Sequence, residues 1–385
     1  MKKHVFLEIM EAQKMSRTLY CGGYDLHPFP GEPENRLKEN MKVYGFRNGG
    51  EVNTGTEAYE FYEQVVSLEG KMGKTRKLYA GLMAAIEDYL FYNLEISVNK
   101  CGLSIFKPQF GFFIQFGPVG MFLLQRLRKE FNRQEQLSGR RIVAILDCKP
   151  GDISTTQAGY FRGYMGSLLN DWGIDHSPFR FDIINPTPWM GSDVLVLEEK
   201  GRPALGLKLL REGKGLIYVN KTSNPSGPQY QDLLVKTSGN EEMALSLLNA
   251  RDAYELSQKH GLENSGVSQF GLVVGATFPC DGSIRKLFPT YTGLNPGFGA
   301  QSLGKKDPLS PFRKVILELR SDGYGGISSS SRNHLFAWRE EYGGSGKVKN
   351  LESDLIRAVN KHRELEEEAF FLPEVIEAGI RYPFD

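Results

Sequence analysis

The chain repeats one alternation eight times: a short run rich in β-branched and aromatic residues, then a longer stretch with helical spacing. The first four runs are "RTLYCGGYD" (17–25), "GLSIFKPQF" (102–110), "RIVAILDCK" (141–149) and "FRFDIINP" (179–186). Four more follow: "GLIYVNKTS" (215–223), "FGLVVGATF" (270–278), "FPTYTGLNPG" (288–297) and "GISSSS" (326–331). Between them, segments such as 119–134 and 241–261 place apolar residues on one helical face. Strands separated by crossover helices pair in parallel. Eight of them favour a closed (β/α)8 TIM barrel over an open, doubly wound sheet. With 385 residues, 40% of them hydrophobic, the chain has ample core for such a barrel with additions.

Two segments exceed a minimal barrel. Residues 30–100 form a long insertion between strands 1 and 2. Its polar, Gly-rich opening predicts a loop or flap, and its second half has helical periodicity. After the eighth strand, "LESDLIRAVNKHRELEEEAFF" predicts a terminal helix covering one end of the barrel. The expected organisation is a single domain over 1–385, with a barrel core at about 16–335 and a C-terminal helical extension at about 345–385. "LEGKMGKT" (68–75) imitates a P-loop, but Leu68 stands where the first Gly is required, so nucleotide binding there is not expected.

A net charge of +1 gives no electrostatic case for nucleic acid or an anionic membrane, and neither is expected as a partner. Cys21, Cys101, Cys148 and Cys280 are scattered, without a CxxC pair or a nearby histidine. They predict reduced thiols in a cytoplasmic protein and no metal site. The opening "MKKHVFLEIMEAQKMSR" lacks the apolar core and cleavage site of a signal peptide, and no window has the length of a membrane span. The six histidines form no cluster. His27 and His334 lie near strand ends, where structural roles are expected of them.

Chemistry concentrates where the strands stop. In "ILDCKPGDIS" an apolar run ends in Asp147 and Lys149, two residues apart and so on one face, with Asp152 on the loop beyond. Both are predicted to point into the barrel and Cys148 toward the helices. Catalytic groups of α/β barrels gather at these C-terminal strand ends, but a lone Asp-x-Lys pair is equally the pattern of a structural ion pair. The other strands add weight, since the first ends in Asp25, the second carries Lys107 and the fifth runs into "TSNPSGPQYQ". The last two loops suit a phosphate. "NPGFGAQ" (295–301) offers small residues and Gln301, and "SSSSRN" (328–333) offers hydroxyls and Arg332.

Together these residues resemble the orotidine 5′-phosphate decarboxylase family, in its longer bacterial-type branch. The family signature Asp-x-Lys-x-x-Asp-Ile-x-x-Thr stands here as "DCKPGDISTT", Asp147 to Thr156. "CGGYDLHP", "FKPQFGFFIQFG", "IINPTPWMGSD", "KTSNPSGPQYQDL", "VVGATFP", "PGFGAQ" and "SSSSR" are similar to further family motifs and occur in family order from about 16 to 335. The resemblance implies decarboxylation of orotidine 5′-monophosphate to UMP in pyrimidine biosynthesis, with no metal and no cofactor. It assigns Lys107, Asp147, Lys149 and Asp152 to a charged catalytic tetrad with Lys149 as proton donor. It assigns Asp25 to the ribose, Ser223 to the pyrimidine, and Gln301 and Arg332 to the phosphate. It also implies a homodimer, in which Asp152 and Thr156 complete the neighbouring subunit's site. One departure stands inside the signature: Pro150 follows Lys149, where this branch usually has Arg, so the loop to Asp152 is expected to take its own path. The signature also admits sister sugar-phosphate lyases and aldolases of the same barrel group, and a non-catalytic nucleotide-binding homologue is a third reading.

Overall fold

The computed structural model describes residues 3–27, 36–68, 70, 73–166, 179–237, 239–277, 281–298 and 307–384. Eight strands close a barrel in which every neighbouring pair is parallel. They are β1 (Tyr20–Tyr24), β2 (Ile105–Pro108), β3 (Val143–Leu146), β4 (Ile183–Ile184), β5 (Gly215–Lys221), β6 (Phe270–Val274), β7 (Thr292–Pro296) and β8 (Gly326–Ser330). Each lies within its predicted run. Closure comes from β1, which pairs with both β2 and β8.

The lower half of the barrel is filled by the inward face of the strands, including Cys21, Ile105, Val143, Ile145, Ile183, Ile217, Val273, Leu294 and Ile327. A helix before the first strand, α1 (Val5–Ser16), presses Val5, Phe6, Ile9 and Ala12 into the same cluster and plugs the barrel floor. Its start is fixed by a hydrogen bond from the Val5 N–H to the Gly213 carbonyl (2.9 Å) in the turn before β5. This floor helix was not anticipated from the sequence.

The 30–100 insertion is more ordered than expected. Where a loop is predicted, Arg36–Tyr44 forms a helix, α2, followed by a single 3₁₀ turn at Phe46–Asn48. The helical half divides into α3 (Glu57–Leu68) and the long α4 (Gly73–Asn99). Buried Glu87 on α4 ties this region to the barrel. It accepts a hydrogen bond from the Tyr62 hydroxyl on α3 (2.7 Å) and a bidentate pair from Arg126 (2.6 and 2.7 Å). Arg126 belongs to α5 (Pro118–Ser138), the helix after β2, which starts with proline in its first turn and stops at Gly139 in left-handed conformation.

The remaining barrel helices are α6 (Ser154–Tyr164), α7 (Leu205–Arg211), α8 (Leu245–Lys259), α9 (Ser283–Leu287) and α10 (Ser310–Ile316). The C-terminal helix α11 (Leu351–Phe370) corrects an expectation. It does not cover an end of the barrel; it lies against α4 and α10, the helices that flank the β8–β1 seam. It is thus the eighth barrel helix, and the ring extends to residue 370 rather than stopping near 335. Its buried Glu366 accepts hydrogen bonds from the Thr18 hydroxyl (3.0 Å) and the Leu19 N–H (2.9 Å), at the foot of β1. No helix of the described residues is long and apolar enough to cross a membrane.

Candidate active site

Following the inward strand faces upward, residue type changes at one level. Ile105 gives way to Lys107, Ile145 to Asp147, Ile183 to Asn185 and Ile327 to Ser329. These side chains line a cavity of about 420 Å³ at the mouth, joined by Asp25, Lys149, Ser223, Gly297, Ser331 and Arg332. Two close approaches depend on glycine. A β-carbon on Gly275 would lie 2.8 Å from the Ser223 backbone nitrogen, so "VGAT" needs Gly where β6 meets the Ser223 turn. One on Gly22 would lie 2.6 Å from the ring of His334, which is fully buried behind β1.

The centre is a row of alternating charge. The Lys107 ammonium donates to one Asp147 oxygen (2.9 Å), and the Lys149 ammonium meets the other. Asn185 donates from Nδ2 to that second oxygen (2.7 Å). Burial opposes the charge on Lys107, but the Asp147 and Asp25 carboxylates outweigh it and hold the ammonium above its usual range. Burial likewise would raise Asp147, yet Lys107, Lys149 and the hydrogen bonds carry it well below the ordinary carboxylate value. Asp25 Oδ1 is buried and has no hydrogen-bond partner among the described residues.

Lys149 reaches the cavity by a route that strand alternation does not supply. β3 ends at Leu146, Asp147 is held by a single bridge to Gln109, and Lys149 has a left-handed backbone with φ 46°. Cys148 turns outward and packs against the helix layer, as expected. Pro150 is buried, and its carbonyl accepts from the Thr187 N–H (2.8 Å) on the loop after β4.

A larger groove of about 1010 Å³ lies outside the barrel between α6 and α7. Its wall mixes Arg162, Lys200 and Lys208 with Glu198, Glu199 and Glu212, and holds none of the strand-end groups. Among the described residues no group of His, Cys, Asp and Glu is arranged to hold a metal ion.

No protein-family model matches the chain. Individual relatives do. The orotidine 5′-phosphate decarboxylase of Rhodopirellula baltica is 32% identical over 254 residues, 66% of this chain and 74% of its own. The chain belongs to the orotidine 5′-phosphate decarboxylase family. The Caldicellulosiruptor bescii enzyme of that family is 33% identical over 239 residues, 60% of this chain and 68% of its own. In fold, the orotidine 5′-monophosphate decarboxylase of Plasmodium berghei superposes with a TM-score of 0.61 at 17% identity, over 95% of this chain and 99% of its own.

Of the residues that the family pattern nominates, the fold brings Asp25, Lys107, Asp147, Lys149, Ser223 and Arg332 into one cavity wall. Asp152 and Thr156 lie outside it. Asp152 accepts from the Ile153 N–H (2.8 Å), and Thr156 is exposed on the first turn of α6. Gln301 lies outside the described residues. His27 and His334 do not line the cavity, as expected of structural histidines. Sequence reasoning quoted "IINPTPWMGSD" and "FKPQF" as motifs but gave no role to Asn185 or Gln109. Their two-residue spacing from Ile183 and Lys107, on inward faces, was the available signal.

Proposed function

We propose that this chain decarboxylates orotidine 5′-monophosphate to UMP in pyrimidine biosynthesis, without a metal or cofactor. The observation that carries the reading is the Lys107–Asp147–Lys149 row, buried on one side and open to the cavity on the other. Loss of CO₂ from pyrimidine C6 leaves a carbanion with little resonance relief. A fixed ammonium beside C6 stabilises the developing charge and then delivers the proton, and Lys149 is the group at the cavity face. Asp147 and Lys107 hold it in place. The unpartnered Asp25 Oδ1 suits a ribose hydroxyl, Ser223 the pyrimidine edge, and Arg332 with Gln301 the phosphate. The phosphate is remote from C6, so its binding energy serves to orient the base.

The tetrad is completed across a homodimer, with Asp152 and Thr156 serving the neighbouring cavity. Two features support this: neither residue lines its own cavity, and apolar side chains crowd the mouth loops around them. Ile153, Trp189, Tyr230 and Leu234, on the loops after β3, β4 and β5, are 55%, 74%, 55% and 71% exposed. Free thiols at Cys21, Cys101 and Cys148 suit a cytoplasmic enzyme. The insertion, tied through Glu87, and the ring-closing α11 support a single domain.

The test follows the loss of orotidine monophosphate absorbance by wild type and Lys149→Ala, with and without EDTA. Wild-type turnover that survives EDTA and falls about 10³-fold or more in the variant is expected. No wild-type turnover overturns the decarboxylase reading, equal turnover overturns the assigned proton donor, and loss in EDTA overturns the metal-free mechanism.

A further inference from the structure

Lys149 sits in a backbone conformation that a lysine does not choose. A left-handed φ strains a side-chain-bearing residue, and a following proline narrows the choice further. One side chain from the neighbouring strand compensates. Asn185, 1% exposed just past β4, accepts at Oδ1 from the N–H groups of both Cys148 (2.9 Å) and Lys149 (3.0 Å). Its Nδ2 donates to the Asp147 oxygen that the Lys149 ammonium also meets (2.7 Å). Two residues on, Thr187 donates from its hydroxyl to the Lys149 carbonyl (3.1 Å) and from its N–H to the Pro150 carbonyl (2.8 Å). The loop after β4 therefore holds the turn at 147–150 from both ends. Only a primary amide offers one planar acceptor for the two N–H groups together with a permanent donor for the carboxylate.

We propose that Asn185 is a positioning residue for the reaction. It templates the left-handed turn, and with one amide sets both the direction of the Asp147 carboxylate and the departure of Lys149 into the cavity. For what Lys149 does, this rests on the decarboxylase reading; for how Lys149 is held, it does not. The charged groups around position 185 are Asp147 and Lys149 on the β3 turn and, beyond them, Lys107 from β2 and Asp25 from β1; the β5 loop contributes the uncharged Thr222, Ser223 and Asn224.

Asn185→Asp tests the donor half of this role. Ionised, the new carboxylate faces Asp147 and repels it; protonated, it donates as the amide does and keeps its acceptor for the two N–H groups. The ratio of wild-type to variant kcat is expected to be about 100 near pH 8 and to shrink at least about tenfold by about pH 5.5, with KM changed less than about threefold. Asn185→Ala should lose about 100-fold in kcat with no recovery in acid. A pH-independent ratio for Asn185→Asp, or an alanine variant within about threefold of wild-type kcat, overturns the proposal. If the wild type turns over no orotidine monophosphate, the decarboxylase reading falls, and the crystal structure of Asn185→Ala decides this one. Loss of the positive φ at Lys149 and of its contact with Asp147 supports the template, and retention of both overturns it.

Discussion

Asp147 is 8% exposed, yet it faces two ammonium groups and an amide donor. Removing it strands Lys107, whose side chain is 5% exposed, as an unpaired buried charge. Asp147→Ala is therefore expected to cost about 3–5 kcal/mol in urea unfolding as well as activity. The pH dependence follows from the depressed Asp147 value. Its contribution to stability is fully present above the unfolded carboxylate pKa of about 3.9 and is lost as pH falls through the lower folded value. In urea titrations between about pH 5 and pH 2, the wild type should lose more stability than Asp147→Asn does; parallel curves would remove the linkage. At this scale the sequence carried residue types and spacing well. Asp25, Lys107 and Asp147 line the cavity in step with strand alternation, whereas Arg332 enters it from the first residue of the helical turn after β8. Lys149 reaches the same cavity by another route, because its placement depends on a left-handed turn braced from β4. Asn185 escaped assignment for the same reason: its partners are backbone groups on a different strand, and no local pattern announces them.

Among the elements, α1 and α11 were the least legible. No element was assigned to the first seventeen residues, since a 12-residue amphipathic helix does not by itself say what it will cover. Phe6 is fully buried against the inward faces of the strands, at the end of the barrel opposite the charged cavity. Phe6→Ala should lower the unfolding free energy by about 3–5 kcal/mol while KM stays within about twofold of wild type. A large change in KM would mean that floor and mouth are mechanically coupled. The helix after "SSSSR" was legible as a helix but not as a member of the ring, because the β8 loop runs some twenty residues before α11 begins. Neighbours, unlike periodicity, are set by packing. The same holds for the insertion, where polar residues at 36–44 form a helix that buries Met41 and Tyr44.

For the whole molecule, the proposed exchange of Asp152 between subunits has a direct consequence for mixtures. Lys149→Ala and Asp152→Ala proteins, each inactive alone, should regain about a quarter of wild-type activity per site when unfolded and refolded together, because random pairing yields heterodimers with one intact cavity. Recovery no greater than the sum of the parents would place Asp152 in its own cavity. Sedimentation of Trp189→Asp should shift toward the monomer if the exposed aromatic residues beside the mouth form the contact.

The position of α11 also bears on how the molecule is made. Glu366 grips Leu19 across 347 residues of chain, and β1 finds its second neighbour only when β8 arrives. During synthesis the first strand thus waits with one edge unpaired for roughly three hundred residues until β8 emerges, and α11 joins the ring only after that. Contacts this distant in sequence slow folding and prolong the exposure of strand edges. A chain halted before residue 326 would lack β8 and hold an open barrel, with the edge of β1 exposed to association.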